Sequence, residues 1–259
     1  MGKQVATTQA MAAPKVVVVM PAYNAAKTLE ATVARLPAGI ASNIILVDDS
    51  SGDETIEIAN RLASEIALTP IRHPHNVGYG GNQKTCYMEA LRQGADIVVM
   101  IHPDGQYDPE FLPEIVKPIA DGAADVVLGS RMLQADGARR GGMPWWKRLS
   151  NRFLTTCENA AFRRNLSEYH TGYRAFSRRF LETVPFLRNS PDFVFDTEIL
   201  AQAVAFGFEI REVPVTTKYF PEASSINFRV SLIYGSKTLW TIARFLMHRA
   251  GFVSPLFRK

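Results

Sequence analysis

Apolar residues in this chain gather in short unbroken runs separated by amphipathic stretches. Lys15–Met20, Asn43–Val47, Ile66–Ile71 and Ile97–Ile101 are such runs. Rich in β-branched residues and bounded by polar turns, they predict strands buried on both faces. Between them, Ala25–Leu36, Glu54–Ala63 and Gln83–Gln93 have helical composition, with Leu29, Val33 and Leu36 spaced to share one face of the first. Strand alternating with helix in this way predicts an α/β fold, a mostly parallel sheet covered by helices on both faces. A helix from Pro109 to Asp121 and a strand over Ala124–Gly129 extend the pattern. From Arg131 to Arg152 the alternation gives way to a loop-like, basic segment. Helices are expected beyond it over Lys147–Phe162, Arg178–Val184 and Phe195–Phe206, then a strand over Glu209–Thr217 and a long amphipathic helix from about Val230 to His248.

No repeat or linker interrupts the 259 residues, a length at which one domain buries a substantial core. The expected division is a tail over 1–13, a domain over 14–229 and a helical extension over 230–259. The tail lacks the apolar centre of a secretory signal. No apolar run approaches the roughly 18 residues of a membrane-spanning helix. Two cysteines, Cys86 and Cys157, are too few for a disulfide framework and suit a reducing, cytoplasmic setting. Charge is unevenly placed. Residues 1–130 carry 9 Lys+Arg against 15 Asp+Glu, and residues 131–259 carry 20 against 10. An acidic half able to hold a cation thus precedes a basic half able to attract anions.

Each predicted strand ends in a polar cluster: Pro21–Asn24, Asp48–Asp53, Asn76–Asn82 and His102–Asp108. In open α/β sheets ligands bind at the carboxyl ends of strands. Asp104 and Gln106 lie two apart, so an extended segment would point their oxygens the same way. Such oxygens suit Mg²⁺ or Mn²⁺ sharing its shell with a diphosphate, although Pro-Asp-Gly is also ordinary turn chemistry. Two familiar phosphate motifs fail. A dinucleotide site needs G-x-G-x-x-G after the first strand, where Pro21-Ala22-Tyr23-Asn24 stands. A P-loop needs a second glycine where Gln83 stands.

Pro21-Ala22-Tyr23-Asn24, Val47–Asp53, Asn76-Val77-Gly78, Asp104-Gly105-Gln106, Gly129-Ser130-Arg131 and Thr171-Gly172-Tyr173-Arg174 occur in this order. In this the chain resembles family 2 glycosyltransferases, more narrowly the dolichol-phosphate mannose synthase and polyprenyl-phosphate glycosyltransferase branch. The resemblance spans Val16–Phe228. It implies a GT-A fold, Rossmann-like, and an inverting, metal-dependent transfer from a UDP- or GDP-sugar. It assigns the nucleotide to Pro21, Ala22, Tyr23, Asn24, Asp48, Asp49, Asn76, Gly78 and Asp104. The family's Asp-x-Asp metal motif is matched at Asp104, with Gln106 following, whereas His102 replaces the first acid. Imidazole can ligate Mn²⁺ but brings no negative charge.

If the acceptor is a lipid phosphate, its oxygen is already anionic and no general base is needed. Fixed cations must then bring two anions together, and Arg131, Lys147, Arg148 and Arg174 are the candidates. The resemblance supports Arg131 and the basic segment after it as the place of the acceptor phosphate. A hydroxyl acceptor would need a base, and Asp196 and Glu198 stand near where hydroxyl-using relatives carry one. A third reading is a catalytically weakened nucleotide-sugar-binding protein, motivated by His102. Nucleic acid is not expected, since the basic residues form no recognised module. Trp145-Trp146 among basic residues suits a membrane interface. The last helix can lie on a membrane surface, on its own domain or on a second copy. In the family, the stretch corresponding to Tyr219–Asn227 approaches the active site.

Overall fold

The structure, a computed structural model, describes residues 13–134, 137–218 and 228–258. The expected tail, apart from Ala13, and the stretch Tyr219–Asn227 lie outside the described residues. The first half follows the expected alternation: β1 (Val16–Ala22), α1 (Leu29–Ala34), β2 (Ala41–Asp48), α2 (Thr55–Ala63), β3 (Leu68–Arg72), α3 (Tyr79–Arg92), β4 (Ile97–Met100), α4 (Leu112–Ala120) and β5 (Val126–Ser130). The second half adds α5 (Gly137–Arg140), α6 (Trp145–Phe162), β6 (Arg174–Ser177), α7 (Arg178–Thr183), α8 (Phe195–Ala205), β7 (Ile210–Pro214) and α9 (Phe228–Arg249). Part of the segment expected as a basic loop is therefore helical.

The strands form one sheet in the order β3-β2-β1-β4-β6-β5-β7. Pairings along β3-β2-β1-β4 and between β5 and β7 are parallel, while β6 runs antiparallel between β4 and β5. Side chains alternate between the faces of each strand, so β1 supplies both cores. Val17 and Val19 join Tyr87, Phe176, Phe195 and Ile199 on one face. Val16, Val18 and Met20 join Leu29, Ile56, Leu112 and Ile115 on the other. The chain leaves β1 toward β2 and β3, then returns to place β4 on the other side of β1. This reversal opens a crevice at the carboxyl ends of the strands.

Two connections shape that crevice. Residues Ala25–Thr28, expected as helix, form a turn in which the Thr28 hydroxyl donates to the Pro103 carbonyl at 2.6 Å. The loop after β1 is thereby pinned to the loop after β4. On the other side α9 packs against α6 and α8. Its Thr238, Thr241, Ile242 and Phe245 are buried, and the Phe245 ring meets Phe162 of α6 edge-on at 4.9 Å.

Candidate active site

The crevice is a cavity of about 710 Å³ lined by residues from both halves of the chain. One wall comes from the strand ends: Pro21, Ala22, Tyr23, Asn24, Asp49, Asn76, Gly78, His102, Asp104 and Gln106. Another comes from Arg131, from Trp146, Lys147 and Leu154 of α6, and from Tyr234 of α9. The structure thus brings together most of the candidate ligand-binding and base residues singled out in the sequence. Among those, Asp48, Arg148, Arg174 and Glu198 lie outside the cavity lining.

Asp48 is fully buried. Its carboxylate accepts from the Ser51 backbone N–H at 3.2 Å and from the Ser51 hydroxyl, and Nε of Arg72 lies 3.5 Å away. These contacts organise the turn after β2. The neighbouring Asp49 does line the cavity, with its oxygens engaged as well. Oδ1 lies 2.9 Å from His73 Nδ1 and accepts from Val77 N–H at 2.9 Å, and Oδ2 accepts from Gly78 N–H at 3.0 Å. Asp49 thus fixes the start of α3. The glycines there serve packing against the chain itself. Gly78 has φ +85°, and a Cβ on it would stand 2.6 Å from the Pro191 carbonyl oxygen. A Cβ on Gly80 would stand 2.5 Å from that of Ser190. The bare backbone permits this approach.

The loop after β4 is a turn, contrary to the extended segment expected for Asp104 and Gln106. Gly105 takes φ +69°, and Asp104 Oδ1 accepts from the Gln106 backbone N–H at 2.9 Å, a turn closed by the side chain itself. Asp104 Oδ2 makes no hydrogen bond among the described residues. Burial raises the Asp104 carboxyl above the usual range, opposed by His102 and the Gln106 N–H. His102 lines the same pocket, and its Nε2 lies 3.2 Å from the Tyr79 hydroxyl. Tyr79 in turn donates to Asp196 Oδ2 at 2.9 Å. Among the described residues no group of three or more His, Cys, Asp or Glu is placed to hold a metal. A cation at Asp104 would have to draw part of its shell from a ligand and water.

Arg174, expected among the phosphate-binding cations, is the largest fully buried side chain. Its guanidinium donates to the carbonyls of Thr171 at 2.6 Å, Tyr169 at 3.0 Å and Asp196 at 3.1 Å. It also pairs with the Asp196 carboxylate at 3.2 Å. Five rigid donors make arginine suited to gathering such acceptors, and here they tie the segment before β6 to α8. Asp196 itself lines the cavity, with Tyr79, Gln83 at 3.0 Å and Arg174 all engaging its oxygens. Glu198 is buried away from the site, accepting from Ser190 N–H at 2.6 Å and Ser190 O–H at 3.1 Å.

Arg131 and Lys147 do reach the cavity. Arg131 is held by buried Glu168, through the backbone N–H at 2.9 Å, Nε at 3.2 Å and Nη2, and Nη2 also donates to the His170 carbonyl at 2.6 Å. Burial and then Arg131 lower the pKa of Lys147, whose ammonium stands 5.4 Å over the Trp146 ring. Two cations so placed favour an anion between them. Arg148 is on α6 but off the cavity, its Nε buried and without a hydrogen-bond partner among the described residues. Sequence reasoning missed Tyr79, Glu168, His170 and Tyr234. None sits in a spaced motif of its own, although His170 directly precedes Thr171-Gly172.

Comparison with known proteins agrees with this geometry. Residues 17–184 match the model of glycosyl transferase family 2, and the chain belongs to that family. It is a glycosyltransferase with a GT-A fold. It is 29% identical over 222 residues to a UDP-N-acetylglucosamine–dolichyl-phosphate N-acetylglucosaminyltransferase of Methanococcus voltae, covering 81% of this chain and 88% of that protein. It is 27% identical over 210 residues to a polyprenol monophosphomannose synthase of Mycolicibacterium smegmatis, covering 78% and 77%. Among solved structures it is similar to glucosyl-3-phosphoglycerate synthase from Mycobacterium tuberculosis in complex with Mg²⁺ and UDP. There the TM-score is 0.68, at 20% identity, covering 93% of this chain and 81% of that one.

Proposed function

We propose that the protein transfers a sugar, with inversion, from a UDP- or GDP-sugar to a polyprenyl phosphate, assisted by Mg²⁺ or Mn²⁺. The observation that carries the acceptor class is the state of Asp196. A hydroxyl acceptor needs a base to take its proton, and Asp196, the cavity carboxylate that the sequence suggests for that role, is bound by Tyr79, Gln83 and Arg174. A phosphate monoester brings its own anionic oxygen. Arg131 and Lys147 line the cavity to receive it, and Tyr23, 58% exposed at the edge of the same cavity, offers a ring for a nucleobase.

Asp104 fits a hard cation: a carboxylate raised by burial, with one oxygen uncommitted, is stabilised by a positive neighbour. Asp104 and Gln106 would hold the ion, with His102 beside them. When bound, a divalent cation supplies Lewis-acid neutralisation of the departing nucleoside diphosphate. The protein's own residues orient the two anionic partners and keep the acceptor oxygen facing the sugar. Incubation with UDP- and GDP-hexoses is expected to give butanol-extractable sugar phospholipid from polyprenyl phosphate, and no product from a sugar hydroxyl acceptor. The reverse preference would overturn the acceptor assignment.

A membrane-borne acceptor suits the outer surfaces of the two helices that wall the cavity. Trp145, Leu149 and Phe153 are exposed along one side of α6, and Leu232, Ile233, Trp240 and Met247 along α9. Among the described residues no helix is long and apolar enough to cross a membrane; the exposed apolar sides suit interfacial contact. The protein is expected to float with liposomes containing anionic lipid. Trp145→Glu combined with Trp240→Glu should cut the floated fraction severalfold, with thermal stability nearly unchanged because both sites are exposed. Equal recovery of the double variant would count against peripheral attachment.

A further inference from the structure

A line of three side chains runs from the interior of α6 to the wall of the cavity. Glu158 is fully buried, and among the described residues neither its oxygens nor Nε2 of His170 has a hydrogen-bond partner. Its Oε2 lies 3.1 Å from Nε2 of His170, an ion-pair distance. On the other side of the ring, Nδ1 lies 2.7 Å from the hydroxyl of Tyr234. His170 and Tyr234 line the cavity beside Arg131 and Lys147.

A carboxylate buried alone is costly, and such a group either takes a proton or keeps a cation beside it. The His170 ring is the group set beside it, 3.1 Å from Oε2 though not aligned for a hydrogen bond. With a proton on Nδ1, the ring donates to the Tyr234 oxygen. The Tyr234 proton is left to point elsewhere: to Thr197 Oγ1, 3.4 Å away, or to a ligand in the cavity. With a neutral ring protonated at Nε2, the direction reverses. Nδ1 accepts the tyrosine proton and the hydroxyl has none to offer. The remaining charged groups felt by Tyr234 are Asp196 and Arg174, which act in opposite directions. Burial, then Glu158 and Asp196, push the hydroxyl well above its ordinary range, so it stays a donor.

We propose that Glu158 and His170 are positioning residues that turn the Tyr234 hydroxyl toward the acceptor, where it donates to a phosphate monoester held by Arg131 and Lys147. The inference rests on the phosphate-acceptor reading and adds a donor from α9, the helix whose outer side is apolar. Acceptor binding would therefore engage the C-terminal helix directly.

The place of the ring proton can be read without any substrate. In the full chain labelled with ¹⁵N-histidine, the His170 resonances, assigned by their loss in His170→Gln, are expected to show a proton on Nδ1. Glu158→Gln should lower the share of rings that carry it. An unprotonated Nδ1 in the unaltered protein would overturn the proposal. Kinetically, Tyr234→Phe is expected to raise the acceptor KM by about tenfold or more, the scale of a hydrogen bond to a charged group, with the donor KM unchanged. A short soluble prenyl phosphate should show the same rise. An unchanged KM for both acceptors, or a rise confined to the long-chain one, would contradict the phosphate contact. Absence of transfer by the unaltered protein would instead strike the functional reading, with the Nδ1 proton still decided by the spectrum.

Discussion

Asp104→Asn is expected to lower the rate of sugar transfer by about a hundredfold to a thousandfold, the scale on which charge stabilisation at a leaving group is lost. The substitution keeps the shape of the side chain. The amide oxygen can still accept from the Gln106 N–H, as Asp104 Oδ1 does at 2.9 Å, so the turn around Gly105 should survive. What disappears is the negative charge. Its effect on stability has the opposite sign to its effect on rate. Burial raises the Asp104 carboxyl in the folded protein, so its ionised form opposes folding above the unfolded pKa, and this cost is relieved as pH falls through the folded value. Neutral asparagine should therefore leave Tm unchanged or slightly higher. A slow variant with an undiminished Tm is the signature of a functional carboxylate; a lowered Tm with a normal rate would assign Asp104 a structural role.

Arg174→Met is expected to do the reverse, costing about 3–5 kcal/mol of stability because it removes one partner of a buried ion pair. In a domain of this size that corresponds to a fall in Tm on the order of 10 °C. The reason lies in the number of acceptors left behind. Three carbonyl oxygens, of Tyr169, Thr171 and Asp196, lose their donor together with the Asp196 carboxylate. Asp196 would then sit 9% exposed with its counter-charge gone, which strengthens the case against free use of this carboxylate as a base. Thermal denaturation checks the prediction. An unchanged Tm with a raised acceptor KM would restore Arg174 as a phosphate ligand.

The contrast between these two residues shows where the sequence was legible. Strands β1, β2 and β4 announce themselves because a parallel strand covered on both faces must be apolar throughout. The polar residues that follow them fall at the cavity for the same topological reason. β6 does not announce itself. Arg174-Ala175-Phe176-Ser177 is short, carries a charge and enters the sheet antiparallel, and nothing local separates it from a loop. Motif position alone also does not show that Arg174 and Asp48 lie outside the cavity lining, where tertiary acceptors and a local turn engage them. Asp104 and Gln106 were correctly grouped at one strand end. The extended geometry assumed for them fails because Gly105 enters the left-handed region at φ +69°. Glu158, His170 and Tyr234 lie on separate elements, so only the packing of α6 and α9 against each other and the sheet brings them into line.

The most direct measurement is titration of Mn²⁺ into the protein with UDP or GDP present, followed by the electron paramagnetic resonance of the free ion. The unaltered protein is expected to remove Mn²⁺ from solution in the presence of one of these nucleotides, and Asp104→Asn to remove little beyond what the nucleotide binds alone. Equal uptake by the two proteins would contradict a cation-assisted donor site at Asp104.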